Sequence, residues 1–116
     1  MKINKFEDII AWQKAKKLTV EIYKSFGDCR DFGFKDQIQR ASVSIMNNIA
    51  EGFERLGDKE LKKFLFIAKG SCAEVRSMLY LAFDLNYLSK EKTRQYYDLS
   101  LEISKMISGL IKTLNY

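Results

Sequence analysis

The stretch LKKFLFIAKGSCAEVRSMLYLAFDLNYL, residues 61–88, decides the fold. Its apolar residues recur in alternating steps of four and three, the spacing of a helix that packs along one face. This first seam consists of Leu61, Leu65, Ala68, Cys72, Val75, Leu79 and Ala82. A second seam follows the same rhythm: Phe64, Ile67, Ser71, Glu74, Met78, Leu81, Leu85 and Leu88. Because one wide face is enough inside a four-helix bundle, the second seam predicts that another chain packs here.

Helical periodicity also covers the rest of the chain, with a break between each pair of segments. We expect helices over residues 7–26, 35–56, 59–88 and from 90 to the end. Gly27 and Gly57 end the first two helices, and Ser89 is a good N-terminal cap for the last. Short connections between consecutive helices predict an all-α, antiparallel up-and-down four-helix bundle, with residues 1–116 forming this single domain.

The composition narrows the range of functions. The chain has 116 residues, no proline and 6 glycines, too few turn formers for an all-β fold. It has no histidine and only two cysteines, so we expect no catalytic site, no metal site of the common type and no cofactor. Cys72 lies on the first seam and is expected to be a small buried hydrophobe. Charges run through the N-terminal segment, and no apolar run is long enough to span a membrane. Two cysteines without a spacing pattern fit a reducing compartment, so we expect a cytoplasmic protein.

A polar stripe runs along the second segment beside its apolar stripe. It consists of side chains suited to fixed hydrogen bonds: Gln37, Arg40, Ser44, Asn48 and Glu51. Ser71 and Glu74 interrupt the second seam with similar polarity, and nearby Gly70 predicts a close helix approach. A buried Glu74 requires a partner, and Arg40 is the expected one because a guanidinium binds a carboxylate at two points. We expect a network that sets the bundle register or the contacts between subunits, and a ligand site is the alternative.

The charge balance is mildly basic, with 20 basic and 15 acidic residues and a net charge of +5. The basic residues form three loose groups: Lys14, Lys17 and Lys24; Lys59, Lys62, Lys63 and Lys69; Lys90, Lys92 and Arg94. None is interleaved with aromatic residues as base-stacking surfaces are, so each group alone is typical of a solvated face. Repeated around an oligomer, the first two groups predict phosphate contacts by charge, without sequence reading.

Three stretches carry a resemblance to a known family. They are FEDIIAWQKA at residues 6–15, QIQRASVSIMNNIAEG at 37–52 and IAKGSCAE at 67–74. All three resemble the four-helix bundle proteins encoded in intervening sequences of bacterial large-subunit ribosomal RNA genes. The chain departs from that family at Met46, where a proline is common, so we do not expect the kink that a proline causes.

The resemblance implies an all-helical bundle that assembles as a ring-shaped homopentamer, in a family for which no enzymatic activity is established. It also implies a relation to the accessory proteins of diversity-generating retroelements, which are similar bundles that bind nucleic acid and a reverse transcriptase. We therefore expect a homo-oligomer that presents basic surface to RNA, DNA or a nucleoprotein partner. Two alternatives stay open: a protein-interaction scaffold with no nucleic-acid binding, and a small-molecule or metal-dependent enzyme.

Overall fold

Four α-helices and a short 3₁₀ turn make up the computed structural model, which describes residues 3–115. The 3₁₀ turn Phe6–Asp8 precedes α1 (Ile10–Ser25), α2 (Phe32–Glu54), α3 (Asp58–Asp84) and α4 (Lys90–Lys112). No strand occurs in this part of the chain. Each helix packs against its neighbours in sequence, and α1 also packs against α4, which closes a bundle of 44 × 21 × 20 Å.

Consecutive helices run antiparallel, as predicted. Between α2 and α3, Ser44 contacts Ser71, while Gln37, earlier on α2, contacts Glu74, later on α3. The short connections leave no room for a crossover between helices that run in the same direction. The described residues therefore form an up-and-down four-helix bundle.

The first seam of α3 lies at the centre of the core. From Leu65 to Ala82 its residues are at most 1% exposed. Apolar side chains from the other three helices join it in one cluster: Leu18, Ile22, Ile38, Ile45, Ile49, Tyr96, Ile103 and Ile107. Fully burying one large apolar side chain contributes roughly 1.5–3 kcal/mol, so this cluster is the main source of stability.

The start of α2 differs from the prediction. The helix begins at Phe32 rather than at residue 35, because the Asp31 side chain caps it by accepting a hydrogen bond from the Phe34 backbone N–H at 3.2 Å. From there α2 continues as an unbroken α-helix past Met46 to Glu54. Because methionine keeps its backbone N–H, this position does not interrupt the helix as a proline would.

The end of α3 also differs from the prediction, because the helix stops at Asp84 rather than at residue 88. Asn86 adopts a left-handed conformation with φ of 60°. The Tyr87 backbone N–H then donates to the Ala82 carbonyl at 2.8 Å, which closes the last turn. The cap of α4 is confirmed, since the Ser89 hydroxyl accepts a backbone hydrogen bond at 3.1 Å.

Two mid-helix glycines have opposite surroundings. A Cβ built at Gly52 would lie 2.6 Å from Cβ of Phe64, so α2 and α3 pass closely at this point. A Cβ built at Gly70 would meet no atom within 4 Å. The close approach predicted at Gly70 is therefore wrong within one chain, because this residue faces away from the bundle.

Candidate assembly and nucleic-acid surfaces

The side of α3 that points away from the bundle is apolar, and we name it the outer α3 face. It consists of Phe66, Ile67, Gly70, Ala73, Ser77 and Leu81. Phe66, Ile67 and Leu81 are 52%, 44% and 48% exposed. Their helical spacing and the small residues between them join them into one patch, and the exposed Glu74 lies within it. Patches of this kind on globular proteins often mark interaction surfaces.

The second seam is covered only in part by its own chain. Ser71 and Met78 are buried, whereas Ile67, Leu81 and Leu85 are exposed. The fold of one chain thus covers the first seam and only part of the second. Packing of another chain on the remainder stays a prediction.

Part of the predicted polar network forms where α2 meets α3. The hydroxyls of Ser44 and Ser71 lie 2.9 Å apart. Asn48 donates from Nδ2 to the Ser44 hydroxyl at 2.9 Å and to its carbonyl at 2.8 Å, while Ser71 donates to the Ile67 carbonyl at 3.2 Å. These hydrogen bonds lie within one chain and fix the register of the two helices beside the outer α3 face.

The predicted pair of Arg40 and Glu74 does not form within the chain. Arg40 binds the Asp36 carboxylate at 2.8 Å, one turn earlier on α2, and both side chains are exposed. Glu74 is exposed as well and accepts a hydrogen bond from Gln37 Nε2 at 3.5 Å. The interpretation of Glu74 as a buried charge is corrected, because its position on α3 points outward and water solvates the carboxylate.

The last residue of the polar stripe belongs to a small ionic cluster at the start of α3. Glu51 pairs with Arg55 at 3.0 Å, and the same guanidinium lies 3.7 Å from Glu60. Arg55 also lies over the Phe64 ring, 5.1 Å from its centroid. Arg55 was missed in the sequence, although its position four residues after Glu51 was a signal for this pair.

The basic group of α1 lies among carboxylates. Lys14 forms an ion pair with Glu102 of α4 at 3.2 Å. Lys17 lines an open groove of about 850 Å³ between α1 and α4, which Glu21 and Glu102 also line. Lys24 is exposed near the end of the helix. The geometry therefore weakens the predicted phosphate contacts at Lys14 and Lys17, since nearby negative charge opposes an anionic ligand.

The basic group of α3 lies at the start of that helix. Lys59 and Lys63 are exposed, whereas Lys62 and Lys69 are half-buried. Lys59 and Lys62 also interact within the chain. Lys63 precedes Ile67 by one turn, so it borders the outer α3 face. This group is the part of the predicted phosphate surface that lies closest to the candidate assembly surface.

Two members of the third basic group, Lys90 and Arg94, lie among aromatic residues, contrary to the sequence interpretation. An open pocket of about 360 Å³ between the end of α3 and the start of α4 is lined by Tyr80, Phe83, Tyr97, Lys90, Arg94 and Asp98. We name it the aromatic pocket. The rings of Tyr80 and Tyr97 meet edge to face, 5.6 Å apart, and their hydrogen bond raises the pKa of Tyr80. The sequence hid this arrangement because its aromatic and basic members lie on different helices.

Two kinds of candidate chemistry can be checked in the described residues, a reactive thiol at Cys72 and a metal-binding cluster. Cys72 is fully buried, as predicted, and burial raises the pKa of its thiol to about 11, which suppresses the nucleophilic thiolate. Across residues 3–115 no three His, Cys, Asp or Glu side chains are grouped to hold a metal ion. Within the same range no helix is long and apolar enough to cross a membrane.

Fold and surface together define a small all-α four-helix bundle with one uncovered apolar helix face. Residues 7–109 match the model of the 23S rRNA-intervening sequence protein family. The chain belongs to this family, which confirms the resemblance found in its motifs.

A solved relative has the same architecture. The crystal structure of a Bacteroides thetaiotaomicron protein of unknown function, from the S23 ribosomal protein family, is similar with a TM-score of 0.83. The two chains are 26% identical, and the match covers 89% of this chain and 96% of that one. No functionally curated protein shows significant similarity to the chain.

Proposed function

We propose that this protein is a non-enzymatic bundle that self-associates through the outer α3 face, and that the assembled particle binds nucleic acid through its basic surface. The assembly we propose is a ring-shaped homo-oligomer in the cytoplasm, with five chains as the family resemblance implies. A reverse transcriptase or another nucleoprotein partner belongs to the same proposal.

Gly70 is the observation that carries self-association. A glycine in mid-helix costs about 1 kcal/mol relative to alanine. Nothing within its own chain explains that cost, because a Cβ at this position meets no atom within 4 Å. A second helix that crosses here closely explains the glycine, and it also covers Phe66, Ile67 and Leu81 on either side. Each of these side chains is about half exposed, so covering it contributes roughly 1 kcal/mol.

Charge supports nucleic-acid binding. Each chain carries a net charge of +5, and a closed oligomer multiplies this value by its number of chains. Lys63 borders the assembly surface, so association would bring copies of this lysine near one another. Backbone contacts of this kind release counterions from the nucleic acid, and they require no reading of its bases.

A scaffold without nucleic-acid binding is the second candidate, and one observation favours it. The lysines of α1 lie among carboxylates, and Lys14 is already paired with Glu102. The net charge then overstates the surface that is open to phosphate. On this alternative the same particle holds a protein partner only.

Light scattering on the intact protein tests self-association. A mass near five times the 13.5 kDa chain, about 68 kDa, is expected for the wild type. Gly70→Gln should reduce the mass to that of one chain, because the long side chain fills the crossing point without disturbing its own fold. Gly109→Gln is the matched control, since an added Cβ there also meets no atom within 4 Å. A wild-type monomer, or an unchanged mass in Gly70→Gln, would overturn the assembly proposal.

Binding of labelled RNA and DNA, followed by fluorescence anisotropy, separates the two candidates. Nucleic-acid binding by charge should weaken steeply between about 50 and 200 mM salt. Lys63→Ala should reduce the slope of affinity against salt by about 1, and Lys14→Ala, which removes the same charge from an existing ion pair, should reduce it less. Absence of binding at low salt would leave the scaffold as the function.

A further inference from the structure

The aromatic pocket contains exposed aromatic rings, which nucleic-acid binding by charge alone does not require. Tyr80 and Phe83 of α3 are 63% and 43% exposed, although burial is favoured for rings of this size. Tyr97 of α4 supports Tyr80 edge to face at 5.6 Å, which holds that ring in place. The pocket of about 360 Å³ falls in the range of sites for small flat ligands.

The positive charges of the pocket lie on one side of it. Lys90 and Arg94 are one turn apart at the beginning of α4, so they share a face of that helix. The start of a helix adds partial positive charge from its free backbone N–H groups. Asp98 lies one further turn along α4 and lines the same pocket. An anionic group is therefore attracted to the Lys90 end and repelled from the Asp98 end.

We infer that the aromatic pocket binds one unpaired nucleotide of a single-stranded nucleic acid, with its base against Tyr80 and Phe83 and its phosphate against Lys90 and Arg94. A nucleotide has the two parts that the pocket separates, a flat ring and an anion. A duplex does not present them in this way, because its bases are stacked on one another and face inward. The inference rests on the proposed nucleic-acid binding and adds a preference for single strands.

The test compares Tyr80→Ala with Tyr23→Ala, which removes an exposed tyrosine of α1 that lies outside the pocket. Both variants are titrated into labelled, unstructured single-stranded RNA and DNA and into a duplex of the same sequence. Stacking on one aromatic side chain contributes enough that Tyr80→Ala should weaken single-strand binding about fivefold or more. Its duplex binding should stay at the wild-type value, and Tyr23→Ala should change neither. If Tyr80→Ala weakens the binding of one single strand, RNA or DNA, more than the other, that strand is the one that the aromatic pocket binds.

Arg94→Ala is the second variant. It tests nucleotide binding in the pocket if Tyr80→Ala also changes the mass of the particle. It lies on α4, away from the outer α3 face, and should weaken single-strand binding together with its salt dependence. Wild-type protein that binds single strand and duplex equally, with no loss in either variant, would overturn the inference and leave the proposed function intact. Wild-type protein that binds no nucleic acid at all would overturn both.

Discussion

The first seam and the outer α3 face are two apolar surfaces of one helix, and the bundle buries the first while it leaves the second exposed. Leu79 on the first seam is fully buried, while Leu81, two residues later, is 48% exposed. Both positions fit a helical apolar pattern, so periodicity alone predicts the same burial for both. The difference shows that the four-helix bundle buries one apolar face of α3 and leaves the other exposed.

The largest expected effect is a difference in stability between the alanine variants of these two leucines. Leu79→Ala should lower the free energy of unfolding by about 2–5 kcal/mol, because it leaves a cavity in a closely packed core. Leu81→Ala should change the stability of the single chain by about 0.5 kcal/mol or less, and should instead weaken self-association. Urea denaturation measures the first effect and light scattering the second. Equal losses of stability in the two variants would show that the outer α3 face already belongs to the core.

The next largest effects are expected at the two mid-helix glycines, where alanine should change the stability in opposite directions. Gly52→Ala should lower the free energy of unfolding by about 1–3 kcal/mol, because its Cβ would lie 2.6 Å from Cβ of Phe64 and the two helices would have to move apart. Gly70→Ala should raise the stability of the single chain by about 1 kcal/mol, since it improves helix propensity in open space. Thermal unfolding of both variants gives the two signs. Destabilisation by Gly70→Ala in a monomeric sample would contradict the outward position of that residue.

The helices were predictable because each depends on local information. The spacing of the first seam, the cap at Ser89 and the break at Gly57 follow from side-chain period and backbone preference over a few residues. Two of the ends that differ from the prediction have equally local causes. Asp31 was not recognised as the cap of α2, and Asn86 was not recognised as a left-handed stop for α3.

The surfaces were less predictable because they depend on distances between helices. Arg40 has carboxylates on its own helix and on α3, and the sequence does not say which one it reaches. The aromatic pocket requires Tyr80 and Arg94 to line the same cavity, although they belong to different helices. Periodicity identifies an apolar face, and only the assembled fold decides whether that face is covered.

The smallest effect concerns a polar contact that, like the first seam, serves the chain alone. Tyr87 donates its hydroxyl to Asp31 Oδ2 at 2.7 Å and thereby ties the α3–α4 connection to the cap of α2. This hydrogen bond, followed by the one from the Phe34 backbone, holds the pKa of Asp31 below its ordinary value of 3.8. The unfolded chain therefore binds the proton first on acidification, and the folded state loses this contribution as pH falls through the lowered pKa.

Tyr87→Phe should make the loss of stability below about pH 4 shallower, because it removes the largest cause of the lowered pKa of Asp31. Urea denaturation at several acidic pH values measures this slope, and Tyr80→Phe, which alters a tyrosine paired with Tyr97 rather than with Asp31, is the control. The change should be the same in a Gly70→Gln background, since the contact lies within one chain and away from the outer α3 face. A pH slope that changes only in the assembled protein would mean that association reorganises this end of the bundle. The Tyr87–Asp31 contact would then depend on assembly as well as on the fold of the single chain.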